Sequence, residues 1–153
     1  MVEHDLAKVG VAGPSPVSRS IYLKIWRFDD LVIEGKVDSE ELKIRTKRFA
    51  IEIIQFVQAL PKSDEIKIIN GQLVRAATSV AANYRAACRS RSKNEFYAKI
   101  CIVVEESDES LFWLEVLEET NLAYGEKLIS LKKESEELVQ IFSSTRKTLK
   151  QNL

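Results

Sequence analysis

The chain has 153 residues, 45% of them hydrophobic and 30% charged, and its 23 basic residues balance its 23 acidic residues. This length suits a single domain that buries a core without disulfide or metal support. Zero net charge excludes an overall basic field that attracts nucleic acid, and no run reaches the ~20 apolar residues of a membrane span.

Residues 1–37 are expected to form an N-terminal extension. Glycine, proline and serine recur in residues 1–20, which predicts a flexible leader. In residues 21–37, two apolar runs flank Asp29 and Asp30. This pattern fits a short hairpin, an extended arm, or translation from a misplaced start codon.

Four amphipathic helices are predicted from Asp38 onwards, because apolar residues recur at spacings of three and four. Asp38, Ser63 and Ser92 are the expected N-caps of the first three helices. Pro61 ends the first helix, and Gly125 marks the exit from the third. The expected buried stripes are Leu42, Phe49, Ile53, Phe56 and Leu60; Ile66, Ile69, Leu73, Ala76, Val80, Tyr84 and Ala87; Phe96, Ile100, Val103, Ser107, Leu111, Leu114 and Leu117; and Tyr124, Leu128, Leu131, Ser135, Leu138, Phe142, Thr145 and Leu149.

The fold class predicted from these elements is all-α. Short connections between long helices favour an antiparallel, up-down-up-down four-helix bundle over residues 38–153. Charge differs between the second and third helices: residues 61–91 carry a net +4 and residues 92–121 a net −6.

A cluster of cations at the corner between the second and third helices is a candidate nucleic-acid site. It consists of Arg85, Arg89, Arg91 and Lys93. Such side chains can hold phosphates, and the nearby aromatic residues Tyr84, Phe96 and Tyr97 could stack on bases. The alternative is that the arginines complement the helix dipole and the aromatic residues belong to the core.

Two polar sets are candidates for a subunit interface or a buried polar network. Arg75, Ser79 and Asn83 lie one turn apart on the edge of the second helix, away from its apolar stripe. The second set is Glu105, Glu106 and Glu109 of the third helix, which together with Asp108 otherwise form a solvated face with ion-pair partners. A di-iron site of the Glu-x-x-His kind is not expected, because His4 is the only histidine and lies in the leader.

An enzyme is not expected. No glycine-rich phosphate loop, Ser-His-Asp set or metalloprotease motif occurs, and no cofactor or metal is implied. Cys88 and Cys101 have no histidine base beside them and are interpreted as half-buried or core residues. Two cysteines and an N-terminus without signal-peptide character fit a reducing cytoplasm.

Three ordered motifs resemble the four-helix-bundle family of 23S rRNA intervening-sequence proteins. They are Gln72–Ala87, Arg91–Phe96 and Glu105–Glu115, and the resemblance covers roughly residues 38 to 150. The resemblance implies a bacterial, cytoplasmic protein that forms a ring-shaped homopentamer. Some members of this family are encoded within insertions in ribosomal RNA genes.

The function expected from this resemblance is a non-catalytic oligomeric scaffold that binds RNA or a ribonucleoprotein. One alternative is a protein-interaction ring without nucleic acid. Another is an accessory factor of a reverse transcriptase, as in a strongly basic branch of related bundles in retroelements. No membrane partner is expected.

Overall fold

The computed structural model describes residues 38–153, so the leader, hairpin and arm predicted for residues 1–37 lie outside the described residues. The described part is an all-α bundle without strands. Its four helices are α1 (Ser39–Ala59), α2 (Asp64–Ala87), α3 (Lys93–Glu119) and α4 (Glu126–Gln151). No helix in residues 38–153 is both long enough and apolar enough to cross a bilayer.

Side-chain caps fix the starts of the first three helices where the sequence predicts them. Asp38 accepts a hydrogen bond from the Glu40 amide at 3.2 Å, and Ser63 accepts one from the Ile66 amide at 3.3 Å. Ser92 accepts from the Glu95 amide at 3.1 Å. Each bond satisfies a donor that the first helical turn leaves unpaired, which holds the chain at these boundaries.

Helix α4 starts differently. Gly125 precedes it with φ of +103°, and no side chain caps the first turn. A residue with a Cβ is strained at this φ, so glycine lets the chain turn from α3 into α4.

The core contains most of the predicted stripe residues, and it also buries Thr46, Ala50, Ala77, Val104 and Ser110, which the stripes leave out. Tyr124 is 89% exposed instead of buried, because it lies in the connection before α4, where helical periodicity does not apply. Ala123, 3% exposed, fills that end of the core. Leu60 and Leu111 are half-buried, because Leu60 is already the C-cap of α1 and Leu111 lies at the margin of its stripe.

Each helix packs against its neighbours in sequence, and α4 closes the bundle against α1 with the smallest of the four contacts. Because the helices alternate in direction, one end of the bundle gathers the start of α1, the end of α2, the start of α3 and the end of α4. This end contains the corner between α2 and α3.

Candidate nucleic-acid interface

The corner between α2 and α3 exposes the predicted cations. Arg85 is in the last turn of α2, Arg89 and Arg91 lie in the connection, and Lys93 begins α3; all four are exposed. The amides of Arg89 and Ser90 donate to Ala86 and Ala87 carbonyls, which fixes the backbone of the connection. The Arg91 amide donates to Glu95 Oε2 at 2.8 Å, so this carboxylate secures the connection.

Of the two interpretations of the aromatic residues near this corner, the structure supports the core interpretation for Tyr84 and Phe96. Tyr84 and Phe96 are 1% and 0% exposed, since the stripe positions point into the bundle. The Tyr84 ring packs against Phe142 with centroids 5.1 Å apart. Only Tyr97 is half-exposed. The corner is therefore a charged surface, and Tyr84 and Phe96 offer no exposed ring on which a base could stack.

Two lysines of α1, which the sequence does not predict as site residues, lie beside Arg85 and Arg89. Lys43 and Lys47 line a groove of about 540 Å³ together with Arg85 and Arg89. Lys43 and Lys47 share one face of α1, which is visible in the sequence. What the sequence does not show is that this face borders the last turns of α2.

Glu40 is the acidic residue of this groove. Lys43 Nζ lies 2.5 Å from Glu40 Oε1, and this hydrogen bond raises the pKa of Lys43. Partial burial and the nearby positive charge of Arg89 act in the opposite direction. Lys43 and Arg89 are therefore close enough to repel each other.

Charge is segregated along the bundle. The basic half, defined as residues 38–49, 76–106 and 139–153, has 12 basic and 6 acidic side chains, a net of +6. The acidic half, residues 50–75 and 107–138, has 6 basic and 12 acidic side chains, a net of −6. The neutral total thus conceals two oppositely charged halves, and the predicted corner lies in the basic one.

The polar edge of α2 splits into two separate arrangements. Arg75 reaches α3, with Nη2 2.5 Å from Glu109 Oε1 and Nη1 3.4 Å from Glu106. Asn83 Nδ2 donates to the Ser79 carbonyl at 3.0 Å, within α2.

These residues do not form one buried network. The Arg75 side chain is 51% exposed, while Ser79 and Asn83 are half-buried. A long side chain can cross to α3 only over the surface, which keeps Arg75 in contact with water. The alternative, a subunit interface, stays a prediction.

The acidic residues of α3 lie on two different faces of the helix. Glu106 and Glu109 face α2 and pair with Arg75, whereas Glu105 and Asp108 are exposed. Trp113 Nε1 also donates to Glu109 Oε1 at 3.2 Å, and the hydrogen bond from Arg75 is the main cause of the lowered pKa of Glu109. No group of three potential ligands in residues 38–153 is placed to hold a metal ion.

Both cysteines are half-buried free thiols. Burial raises the pKa of Cys88, and the Tyr84 hydroxyl and Lys43 partly offset this rise. A raised pKa makes a thiol less nucleophilic at neutral pH.

Comparison with known proteins agrees with this architecture. The model of the family described as 23S rRNA-intervening sequence protein matches residues 40–144. A crystal structure of a protein of unknown function from the S23 ribosomal protein family of Bacteroides thetaiotaomicron is 29% identical, with a TM-score of 0.64. The similarity covers 71% of this chain and 97% of that one. No curated protein shows significant similarity to this chain. Since the family model spans most of the bundle, the chain belongs to the 23S rRNA-intervening sequence protein family.

Proposed function

We propose that this protein is a non-catalytic, homo-oligomeric scaffold that binds RNA or a ribonucleoprotein through the corner between α2 and α3. The supporting observation is the +6 basic half in a chain without net charge, since Arg85, Arg89 and Arg91 are exposed there. Family membership agrees with a role near ribosomal RNA.

The chemistry of the corner fits phosphate oxygens. Guanidinium groups donate paired hydrogen bonds to phosphate, and their charge displaces counterions from the nucleic acid. Binding of this kind depends steeply on salt and weakly on sequence. RNA would repel the acidic half, which carries a net charge of −6. The separation of charge would therefore also orient the scaffold on the RNA.

The first experiment is native mass spectrometry of the purified protein without nuclease treatment. We expect a ring, most simply a pentamer, with additional heterogeneous mass that RNase removes. A clean oligomer would shift the function to a protein partner. A monomer would contradict the scaffold.

A charge-reversal pair tests the corner. Replacing Arg89 and Arg91 by Glu is expected to abolish the RNase-sensitive mass, because both exposed cations become anions. The matched control replaces Lys62 and Lys67 by Glu, which makes the same change in charge in the acidic half. RNA retained after replacement of Arg89 and Arg91 would remove the assignment of the corner.

A second candidate, a protein-interaction ring without nucleic acid, is favoured by exposed apolar side chains on α2 and α3. Ile68 is 66% exposed and Phe112 is 51% exposed. The contacts of Arg75 with Glu106 and Glu109 set the antiparallel register, which places residues near 71 opposite residues near 112.

Gly71 is exposed and follows Ile68 by three residues on α2. A Cβ built there meets nothing within 4 Å, so the protomer itself does not require a glycine. Glycine in a helix interior costs about 1 kcal/mol relative to alanine. A closely packed partner on this face would account for it.

Replacing Gly71 by Leu tests this candidate. The helix should form at least as well, while the new side chain would block a partner helix and lower the native mass. Replacing the exposed Gln55 of α1 by Leu is the control for added apolar surface. An unchanged oligomer in the Gly71 variant would argue against this interface.

A further inference from the structure

The groove between α1 and α2 presents two short ladders of cations. Lys43 and Lys47 lie one turn apart on α1, while Arg85 lies in the last turn of α2 and Arg89 follows it in the connection. At 1.5 Å rise per residue, the two lysines are separated by about 6 Å along α1. The groove between the two ladders has a volume of about 540 Å³.

The floor of this groove is apolar and made of small side chains. Ala50, Ala81 and Ala82 line it, and Ile44 stands at the rim with 64% of its surface exposed. Because the alanine side chains are short, the longer side chains of the cations project above them on both sides of the groove. An unpaired strand can rest its riboses and bases on such a floor.

Most of the positive charge in the groove is not neutralised within residues 38–153. Glu40 pairs with Lys43, whereas no ion pair forms at Lys47, Arg85 or Arg89 in this part of the chain. Arg89 also opposes protonation of Lys43 through like-charge repulsion. Gathering like charges without partners destabilises the folded chain, and a bound polyanion would relieve this repulsion.

We propose that the phosphate backbone of single-stranded RNA lies in this groove, held by Lys43 and Lys47 on one side and by Arg85 and Arg89 on the other. The proposal rests on the proposed function and deepens it. It moves the binding path from the start of α3 to the first turns of α1, so that Lys43 and Lys47 contact RNA and Arg91 and Lys93 are peripheral.

Recognition in this groove is largely independent of sequence. No asparagine or glutamine lines it to pair with adenine edges, and Glu40 is engaged by Lys43. Phosphate contacts then supply the affinity, which falls steeply as salt rises.

Fluorescence anisotropy of the full chain with a labelled oligouridylate tests the proposal, at about 50 to 200 mM salt. The groove variant replaces Lys43 and Lys47 by Glu, and the corner variant replaces Arg91 and Lys93 by Glu. The control, with Lys62 and Lys67 replaced by Glu, carries the same charge change far from the groove. Circular dichroism and native mass verify that each variant folds and assembles, and a Gln pair at Lys43 and Lys47 separates lost attraction from new repulsion.

We expect the groove variant to bind at least about tenfold more weakly and to lose about 1.4 from its salt slope, since each phosphate contact to a single strand contributes about 0.7. The Gln pair should show the same loss of slope, while the control and corner variants keep most of the affinity.

Two outcomes would overturn the inference. If the corner variant loses binding while the groove variant keeps it, the groove is wrong and the proposed function stands. If the groove variant loses only self-association and binds RNA normally, the occupant is a second copy of this chain. Absence of oligouridylate binding by the unaltered protein even at about 50 mM salt would remove the proposed function itself.

Discussion

Tyr84 is the largest fully buried side chain of the described bundle, and its two parts have different environments. The ring packs on Phe142, while the hydroxyl, near Cys88, forms no geometrically satisfactory hydrogen bond within residues 38–153. Burial raises the pKa of this hydroxyl, since the charged form cannot be hydrated there. The ring contributes to stability, and the hydroxyl is a buried polar group without a strong partner.

Replacing Tyr84 by Phe should therefore leave the free energy of unfolding unchanged or raise it by about 1 kcal/mol, because an unpaired buried hydroxyl is removed. Replacing Tyr84 by Ala should cost about 3 to 5 kcal/mol, as for other large aromatic residues in a core. Urea unfolding measures both changes. Clear destabilisation by the Phe variant would mean that the hydroxyl does have a hydrogen-bond partner, the nearby Cys88 thiol being the first candidate.

At the scale of single residues, the sequence predicted burial well inside helices and poorly at their ends. Leu128 and Leu149 are buried as their spacing indicates, whereas Tyr124 continues the same spacing and is exposed. The difference arises because periodicity describes a helix only after it has begun, and Gly125 delays the start of α4.

At the scale of elements, α2 and α3 are joined across their surface by Arg75. Its hydrogen bond to Glu109 is the main cause of the lowered pKa of that carboxyl. A carboxyl whose pKa is lower in the folded chain than in the unfolded chain stabilises the fold above its unfolded value of about 4.3. This contribution is lost as pH falls through the folded pKa.

Replacing Arg75 by Gln should lower the free energy of unfolding at neutral pH and have progressively less effect below about pH 4.3. Urea unfolding at several pH values measures this convergence, and NMR titration of Glu109 should show its pKa rising in the variant. Replacing the exposed Arg85 by Gln is the matched control and should not produce the same convergence. An Arg75 effect of equal size at neutral and acidic pH would show that the ion pair is not its source.

At the scale of the whole molecule, the contact between α1 and α4 is the smallest of the four helix–helix contacts in the described bundle. Arg45 spans it with a bidentate bond to Glu134, at 2.7 and 2.9 Å, and a further bond of 2.5 Å to Glu137. Lys127 and Glu52 form a second ion pair across this contact, at 2.7 Å. Ion pairs therefore link α1 to α4 across this contact.

Replacing Arg45 by Ala should let α1 separate from α4 more often than the other helices separate. Loss of partly buried, charge-assisted hydrogen bonds costs about 1 to 2 kcal/mol. That cost corresponds to about 5- to 30-fold faster amide exchange. Hydrogen exchange should quicken in α1 and α4 and stay nearly constant between α2 and α3. Replacing the exposed Arg48 by Ala controls for helix propensity, and uniform acceleration in all four helices would contradict local opening.

The sequence by itself determined what depends on neighbouring residues: the four helices, three of their N-caps, most of the core stripes and the motifs of the family. These features follow from periodicity and from bonds such as Ser63 to the Ile66 amide, which span only a few residues. The cation cluster between α2 and α3 was also visible, because its members lie within nine residues of each other in the chain.

Tertiary structure alone decided which charges lie together. Arg45 meets Glu134 across 89 residues, and Arg75 meets Glu106 across 31, so neither pair has a local signal. The alternating direction of the helices, together with the register between them, gathers cations from all four helices at one end. This converts a chain of zero net charge into halves of +6 and −6, and it brings Lys43 and Lys47 to the side of Arg85 and Arg89.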